Sequence, residues 1–71
     1  MTQVQSAAEA VRLADELIRP YYPFRQLQTA KRILNIWIVN FDVGAVKQRI
    51  VRVRINAATG QIIDIDKGTS L

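Results

Sequence analysis

The residues best suited to chemistry lie in segment 51–66, VRVRINAATGQIIDID. Arg52 and Arg54 alternate with apolar residues before a TG turn, and Asp64 and Asp66 alternate with isoleucines after it. Two carboxylates on one face of a strand can hold a divalent cation or act as an acid and a base. In a second interpretation, each aspartate pairs with an arginine on the preceding strand.

The geometry of a β-hairpin favours the second interpretation. We predict a three-residue loop of Ala58, Thr59 and Gly60, with Gly60 in the left-handed region that glycine tolerates. Counting outward from this loop predicts the cross-strand pairs Ile55–Ile63, Arg54–Asp64, Val53–Ile65 and Arg52–Asp66. A slip of one residue would oppose arginines to isoleucines, so the charges help to specify the register. Ion pairing is therefore favoured over a metal site.

The composition removes several classes of active site. The chain has no cysteine and no histidine, so it offers no thiolate nucleophile, no disulfide and none of the commonest transition-metal ligands. Catalysis would have to use Asp42, Asp64, Asp66, Tyr21, Tyr22 or a lysine, and these residues form no recognisable constellation. We predict a protein that is not an enzyme and that uses no cofactor or metal.

The 71 residues allow one domain with a modest core. Ser6 and Glu9 form a capping box, so a helix is predicted over about residues 6–19, ending before Pro20. Residues 20–31 are predicted as a connector that includes a short helical turn. Its aromatic residues Tyr21, Tyr22 and Phe24 are expected to plug the end of the core, with base stacking on nucleic acid as the alternative.

Beyond the connector, the hydrophobic period changes to two, which is typical of β-strands. Strands are predicted over about residues 33–43, 47–57 and 61–66. One buried face is expected to combine residues of the first two strands, namely Trp37, Val39, Phe41, Val51, Val53 and Ile55. The predicted fold class is therefore α+β, in two layers, with an N-terminal helix packed on a three-stranded antiparallel meander (α-β-β-β).

The same alternation places apolar residues on the sheet face away from the helix. These residues are Leu34, Ile36, Ile38, Ile50 and Ile62. A lone domain would favour polar side chains there, so something should cover them. We predict a protein interface, with a homodimer as the first choice and the connector or another protein as alternatives. The long first strand, expected at a sheet edge, offers a second route to association.

A net charge of +4 supports an alternative function. The basic central residues that could contact nucleic acid are Lys31, Arg32, Lys47, Arg49, Arg52 and Arg54. Neutralised phosphates would release counterions, so such binding would depend strongly on salt. We rank it below protein interaction because Arg52 and Arg54 are expected to be paired with aspartates.

The closing half of the chain resembles the PepSY-type domain. The matching residues are Val51, Val53, Ile55, Asn56, Thr59, Gly60 and Ile63, and WIVNF at 37–41 looks like the preceding strand. The resemblance implies a small α+β module associated with inhibition or regulation of peptidases, usually outside the cytoplasm. No catalytic residue is carried over from the family.

Targeting signals are not evident in this sequence. No apolar run approaches the roughly 20 residues of a membrane span, and the polar start MTQVQSAAEA lacks the design of a signal peptide. We therefore predict a soluble, cytoplasmic protein without membrane contact. This expectation differs from the usual setting of PepSY-type domains.

Overall fold

One helix lies across a four-stranded antiparallel sheet in the computed structural model, which describes Val4 and residues 6–67. The elements are α1 (Ala7–Ile18), β1 (Gln26–Ile33), β2 (Ile36–Asp42), β3 (Ile50–Asn56) and β4 (Ile62–Asp66). The strands lie side by side in chain order. The α+β class is confirmed, whereas the prediction of three strands is wrong. Within the described residues, no helix is long and apolar enough to cross a membrane.

The helix α1 begins where the capping residues predict. The Ser6 hydroxyl accepts a hydrogen bond from the Glu9 backbone N–H at 3.2 Å, satisfying a donor that the first turn leaves unpaired. Ala10, Ala14 and Ile18 form the buried face of the helix. The two alanines have small side chains, which lets the helix backbone lie close to the sheet.

The strand β1 corrects the prediction of a connector with a helical turn. Residues 26–33 pair with β2 and form one edge of the sheet, so the expected first strand is central rather than at an edge. Nearly all of β1 is exposed, and the pairing slips between Leu27 and Thr29. Because β1 joins the sheet edge, the connector does not fold underneath the sheet.

The core lies between α1 and one face of β2 and β3. Trp37 lies opposite Ile55, Val39 opposite Val53 and Phe41 opposite Val51. All six side chains are buried, which confirms the predicted shared face. We call this side of the sheet the helix side and the opposite side the outer face.

The β3–β4 hairpin confirms three of the four predicted pairs. Arg54 lies opposite Asp64, Val53 opposite Ile65 and Arg52 opposite Asp66. Ile55 lies opposite Ile62 rather than Ile63, because the register shifts between Arg54 and Ile55. This β-bulge leaves Ile63 as the additional residue on β4.

The turn between β3 and β4 is longer than predicted. The Asn56 N–H donates to the Gln61 carbonyl at 2.8 Å, and the Gly60 N–H donates to the Asn56 carbonyl at 2.8 Å. Ala57 therefore belongs to the turn, which runs from Ala57 to Gly60. Gly60 has φ of 80°, as expected for its left-handed position.

A short N-terminal contact closes one end of the core. The Val4 N–H donates to the Ala57 carbonyl at 2.8 Å, and the Trp37 indole Nε1 donates to the Val4 carbonyl at 2.8 Å. Val4, Trp37 and Ala57 are all buried. Trp37 thus satisfies its polar atom while burying its ring, as buried tryptophans require.

Asp15 links the C-terminal end of α1 to the segment before β1 through two arginines. Arg25 Nε donates to Asp15 Oδ1 at 2.5 Å, and Arg19 Nη2 donates to Asp15 Oδ2 at 3.0 Å. Arg25 also donates from Nη1 to the Tyr22 carbonyl at 2.9 Å. Tyr22 packs against the core, as the plug predicts, whereas Tyr21 and Phe24 are exposed.

Replacing Asp15 with asparagine is expected to lower the free energy of unfolding by about 1–2 kcal/mol at neutral pH, because charge-assisted hydrogen bonds are lost. The hydrogen bond from Arg25, followed by that from Arg19, holds the pKa of Asp15 below its ordinary value of 3.8. Its stabilising contribution is therefore complete above pH 3.8 and declines as pH falls through the lower folded-state pKa.

Urea unfolding of the wild type and Asp15→Asn across the acid range tests this expectation. The difference in unfolding free energy between them should shrink as pH falls below 3.8. A difference that stays constant down to the lowest accessible pH would contradict it. Glu16→Gln is the matched control because its partner, Arg12, lies on the same helix and both side chains are largely exposed.

Candidate functional site

The outer face of the sheet carries most of the predicted site residues. It is built by residues that alternate with the buried ones along each strand. The register places the following side chains on it: Thr29, Lys31, Ile33, Ile36, Ile38, Asn40, Asp42, Ile50, Arg52, Arg54, Asp64 and Asp66. The helix lies on the other side, so α1 covers none of them.

Three isoleucines form an apolar patch on the β1–β2 half of the outer face. Ile33 lies opposite Ile36 across the strand pair, and Ile38 follows along β2. Ile33 is 49% exposed, and the other two are half-buried. We call Ile33, Ile36 and Ile38 the isoleucine patch. Its border is a shallow cleft of about 450 Å³, lined by Thr29, Lys31, Ile33, Ile38, Asn40 and Arg52.

A row of polar side chains crosses the sheet beside this patch. Asn40 Nδ2 donates to the Thr29 hydroxyl at 2.8 Å, and Arg52 Nε donates to Asn40 Oδ1 at 3.3 Å. Arg52 lies opposite Asp66 on the next strand. The row fixes the direction of each polar group, so the outer face is an ordered surface of donors and acceptors.

The next row contains the predicted ion pair between Arg54 and Asp64. Arg54 Nε donates to Asp64 Oδ1 at 2.8 Å, and Arg54 Nη2 donates to Asp64 Oδ2. This bidentate contact is the strongest geometry for an ion pair between an arginine and a carboxylate. It lowers the pKa of Asp64 and raises the pKa of Arg54. The carboxylate is therefore held ionised and does not act as a proton donor near neutral pH.

The predicted interface residues are only partly brought together. Ile36, Ile38 and Ile50 lie on the outer face and are half-buried. Leu34 departs from the prediction because it lies in the β1–β2 turn, with φ of 56° and an almost fully exposed side chain. Ile62 also departs from it, since the bulge places it opposite the buried Ile55.

Ile33 is an apolar residue of the outer face that the predicted interface lacks. A strand that begins at Ile33 and runs on through Leu34 has the opposite alternation from the observed one. It therefore assigns Ile33 to the helix side instead of the outer face. The alternation of Thr29, Lys31 and Ile33 was the available signal. The bulge after Leu27 hides it, because the parity changes within one short strand.

The basic residues predicted for nucleic acid fall into three places. Lys31, Arg52 and Arg54 share the outer face. Arg32 lies on the helix side, where it donates to the Leu34 carbonyl at 2.8 Å and to Asn35 Oδ1 at 3.1 Å. Lys47 and Arg49 belong to the loop between β2 and β3.

Aromatic side chains are absent from the outer face of the described strands. Trp37 and Phe41 point to the helix side and are buried. The Arg19 and Arg25 cations beside the exposed connector aromatics are both bonded to Asp15. The surface therefore lacks the alternation of cations and stacking rings that single-stranded nucleic acids favour.

The β2–β3 loop forms a second cleft, of about 310 Å³, at the opposite end of the sheet from the TG turn. Its lining includes Tyr22, Lys47 and Arg49. Asp42 Oδ1 accepts hydrogen bonds from the Gly44 N–H at 3.0 Å and the Arg49 N–H at 3.1 Å. This carboxylate therefore organises the loop.

No constellation for metal binding is found among the described residues, because no group of three or more acidic, histidine or cysteine side chains lies together there. Asp64 is bonded to Arg54, and Asp42 to backbone N–H groups. The chemistry that this surface offers is apolar contact, hydrogen bonding and ion pairing.

Comparisons with known proteins give no family assignment. No protein-family model matches the chain, no curated protein matches its sequence, and no solved structure matches it. The likeness to PepSY-type domains therefore stays a prediction drawn from residues 37–63.

Proposed function

We propose that this chain is a non-catalytic protein-interaction domain that associates with a second copy of itself through the outer face of its sheet. The isoleucine patch carries the proposal. Ile33 is 49% exposed, and it adjoins two further isoleucines on a face that no described element covers. Burying such a patch against its own symmetry mate would remove apolar surface from water, which is the main driving force of association.

The charges of the outer face support a second copy as the occupant. Lys31, Arg52 and Arg54 are balanced on the same face by Asp42, Asp64 and Asp66. A surface with both signs can complement itself about a twofold axis, whereas a surface for nucleic acid carries a clear excess of positive charge. The apolar patch lies beside these rows, so a dimer can bury isoleucines while polar groups form its rim.

The size of the face predicts a weak and reversible dimer. Four strands spaced by ~4.8 Å, each about seven residues long at ~3.3 Å per residue, give a flat area of roughly 440 Å². Standard stable interfaces bury about 800 Å² per partner. We therefore expect dissociation in the micromolar range rather than a permanent dimer.

Replacing Ile38 with lysine is expected to abolish the dimer, because a charged group would enter the centre of the apolar contact without a partner. Sedimentation velocity from low to high micromolar concentration is the measurement. The wild type should move from 8.1 kDa towards twice that mass, while Ile38→Lys should stay monomeric.

Val46→Lys is the matched control, because Val46 is fully exposed in the β2–β3 loop and adds the same charge away from the outer face. Circular dichroism should show that both variants remain folded. A wild type that stays at 8.1 kDa at high micromolar concentration would refute the proposal. Equal dimerisation of Ile38→Lys and the wild type would place the interface elsewhere.

Nucleic-acid binding is the second candidate. The observation that favours it is Lys31, which makes no ion pair among the described residues and borders the cleft together with Arg52. Titration with single- and double-stranded oligonucleotides at low salt tests it. Binding that weakens steeply with salt and is reduced by Lys31→Gln would support this candidate. The absence of binding at micromolar protein would remove it.

The cellular setting is part of the same proposal. A cytoplasmic location stays a prediction, and peptidase regulation rests on the PepSY resemblance. Fractionation of cells that express the full-length protein tests the location. Recovery in an extracytoplasmic fraction would favour the setting that the resemblance implies.

A further inference from the structure

The edge strand β4 offers a second surface that is separate from the isoleucine patch. β4 pairs with β3 along one side only. An edge strand presents unpaired backbone N–H and C=O groups to solvent, and an added strand can bond to them. The helix contacts β1, β2 and β3 but not β4. Among residues 6–67, no element therefore covers the helix side of β4 or pairs with its outer edge.

Three isoleucines line this strip, because Ile62 lies opposite the buried Ile55 and is itself 37% exposed. Ile65 lies opposite Val53, which is fully buried on the helix side, yet Ile65 itself is 37% exposed. Ile63, the additional residue of the bulge, is 46% exposed. We call the edge of β4 together with Ile62, Ile63 and Ile65 the β4 shelf. A strand laid along the shelf would extend the sheet and place its own apolar side chains beside these isoleucines.

A second copy of β4 does not fit the shelf. When two copies of β4 pair about a twofold axis, the residues that lie opposite each other must point to the same side of the sheet. Pairing centred on Asp64 sets that carboxylate against its own copy, and pairing centred on Ile65 sets Asp64 against Asp66. Like charges directly across strands are destabilising. Pairing centred on Ile63 falls on the bulge, where the regular ladder is interrupted.

A strand with alternating basic and apolar residues does fit. Each Asp64 oxygen accepts one hydrogen bond from Arg54, and a carboxylate oxygen has lone pairs for more than one donor. A second cation can therefore approach from the open side. The neighbouring strand β3 already shows this complement, since Arg52 and Arg54 lie opposite the aspartates and Val53 lies opposite Ile65.

We propose that the β4 shelf binds an extended segment of a partner protein in which basic and apolar residues alternate. The segment adds to the sheet as a fifth antiparallel strand. Its basic side chains lie beside Asp64 and Asp66 on the outer face, and its apolar side chains lie beside Ile63 and Ile65 on the helix side. Backbone hydrogen bonds supply affinity, and the alternating charges select the segment.

The probe is the peptide QRIVRVRIN, which copies residues 48–56 of this chain and so carries the complement that β4 already accepts. Its matched control, QEIVEVEIN, replaces the three arginines with glutamates. Backbone NMR shifts of the labelled full chain report the binding site. We expect the first peptide to bind with micromolar affinity and to shift the amides of residues 62–66, and the second to bind at least about tenfold more weakly.

Variants of the full chain separate this site from the proposed dimer. Ile65→Lys puts a cation on the apolar side of the shelf and should weaken peptide binding by about tenfold or more. Ile33→Lys places the same change on the other edge strand and should leave peptide binding unchanged while it weakens the dimer. Asp66→Asn removes one carboxylate charge and leaves the isoleucines unchanged. It therefore tests the selection of basic residues if Ile65→Lys does not fold.

The proposal predicts that added salt weakens the peptide complex, because the aspartates select its basic residues. Equal affinity of the two peptides would overturn it. Shifts confined to β1 or to the isoleucine patch would also overturn it, as would the absence of any shift at millimolar peptide. None of these results depends on whether the chain dimerises.

Discussion

Replacing Trp37 with phenylalanine is expected to lower the free energy of unfolding by about 2–4 kcal/mol. The change leaves the buried Val4 carbonyl without the indole donor that lies 2.8 Å away, which costs ~1–3 kcal/mol. The smaller ring also leaves a void in the core, which costs about 1 kcal/mol more. Domains have ~0.05–0.15 kcal/mol of stability per residue, or roughly 4–11 kcal/mol for 71 residues. The loss is therefore a large share of the total.

Chemical denaturation measures the loss, and amide hydrogen exchange at Val4 identifies its cause. The Val4 N–H donates to the Ala57 carbonyl. It should exchange faster in the variant, because Val4 keeps this hydrogen bond but loses the one that its carbonyl accepts from Trp37. Tyr21→Phe is the control, since Tyr21 is 75% exposed. A Trp37→Phe protein with unchanged stability would show that the N-terminal contact contributes little to the fold.

Replacing Gly44 with alanine is the second change with a large expected effect. A Cβ atom at Gly44 would lie 1.6 Å from the Lys47 carbonyl oxygen and 2.8 Å from the carbonyl carbon. Both are backbone atoms, so no side-chain rotation relieves the clash. The loop must open, and the hydrogen bonds from Gly44 and Arg49 to Asp42 are then lost. We expect a loss of about 2–4 kcal/mol, from the strain and the broken bonds together.

Thermal unfolding of Gly44→Ala compared with Val46→Ala tests this expectation within one loop. Val46 is fully exposed, so its replacement should leave the melting temperature nearly unchanged. Asp42→Ala should reproduce part of the Gly44→Ala loss, because it removes the acceptor of the same two hydrogen bonds. Equal melting temperatures for Gly44→Ala and the wild type would mean that the loop is looser than the structure shows.

The helix and the hairpin pairing could be predicted because local signals there agree. Ser6 marks the start of α1, and the alternation around Arg52 and Arg54 fixes the register against Asp64 and Asp66. A slip by one residue would have exposed the valines and buried the arginines. Periodicity and charge thus gave the same answer over most of β3 and β4.

Prediction failed where a local irregularity changes the parity. The bulge at Ile63 moves Ile62 opposite Ile55. The residues QII at 61–63 contain no glycine, proline or asparagine that would predict a bulge there. Leu34 adopts φ of 56° in the β1–β2 turn. Because leucine rarely adopts a positive φ, its residue type predicts a strand at this position and not a turn. Tertiary pairing of the flanking strands decides both positions.

The edge strand β1 was missed for a different reason. Most of its side chains are exposed, and it carries a bulge after Leu27. An edge strand with little buried surface needs no regular apolar alternation, so QLQTAKR lacks the signal by which strands are recognised. Without β1, Ile33 could not be placed on the outer face beside Ile36.

An isotope-filtered NOE experiment on a mixture of labelled and unlabelled chains tests directly whether the outer face joins two copies. It detects only contacts between different copies. A dimer formed through the outer face should give intermolecular NOEs among the methyl groups of Ile33, Ile36 and Ile38 at concentrations where sedimentation shows a dimer. Intermolecular NOEs confined to β4 or to the helix, with none from these isoleucines, would contradict the proposal that the outer face joins the two copies.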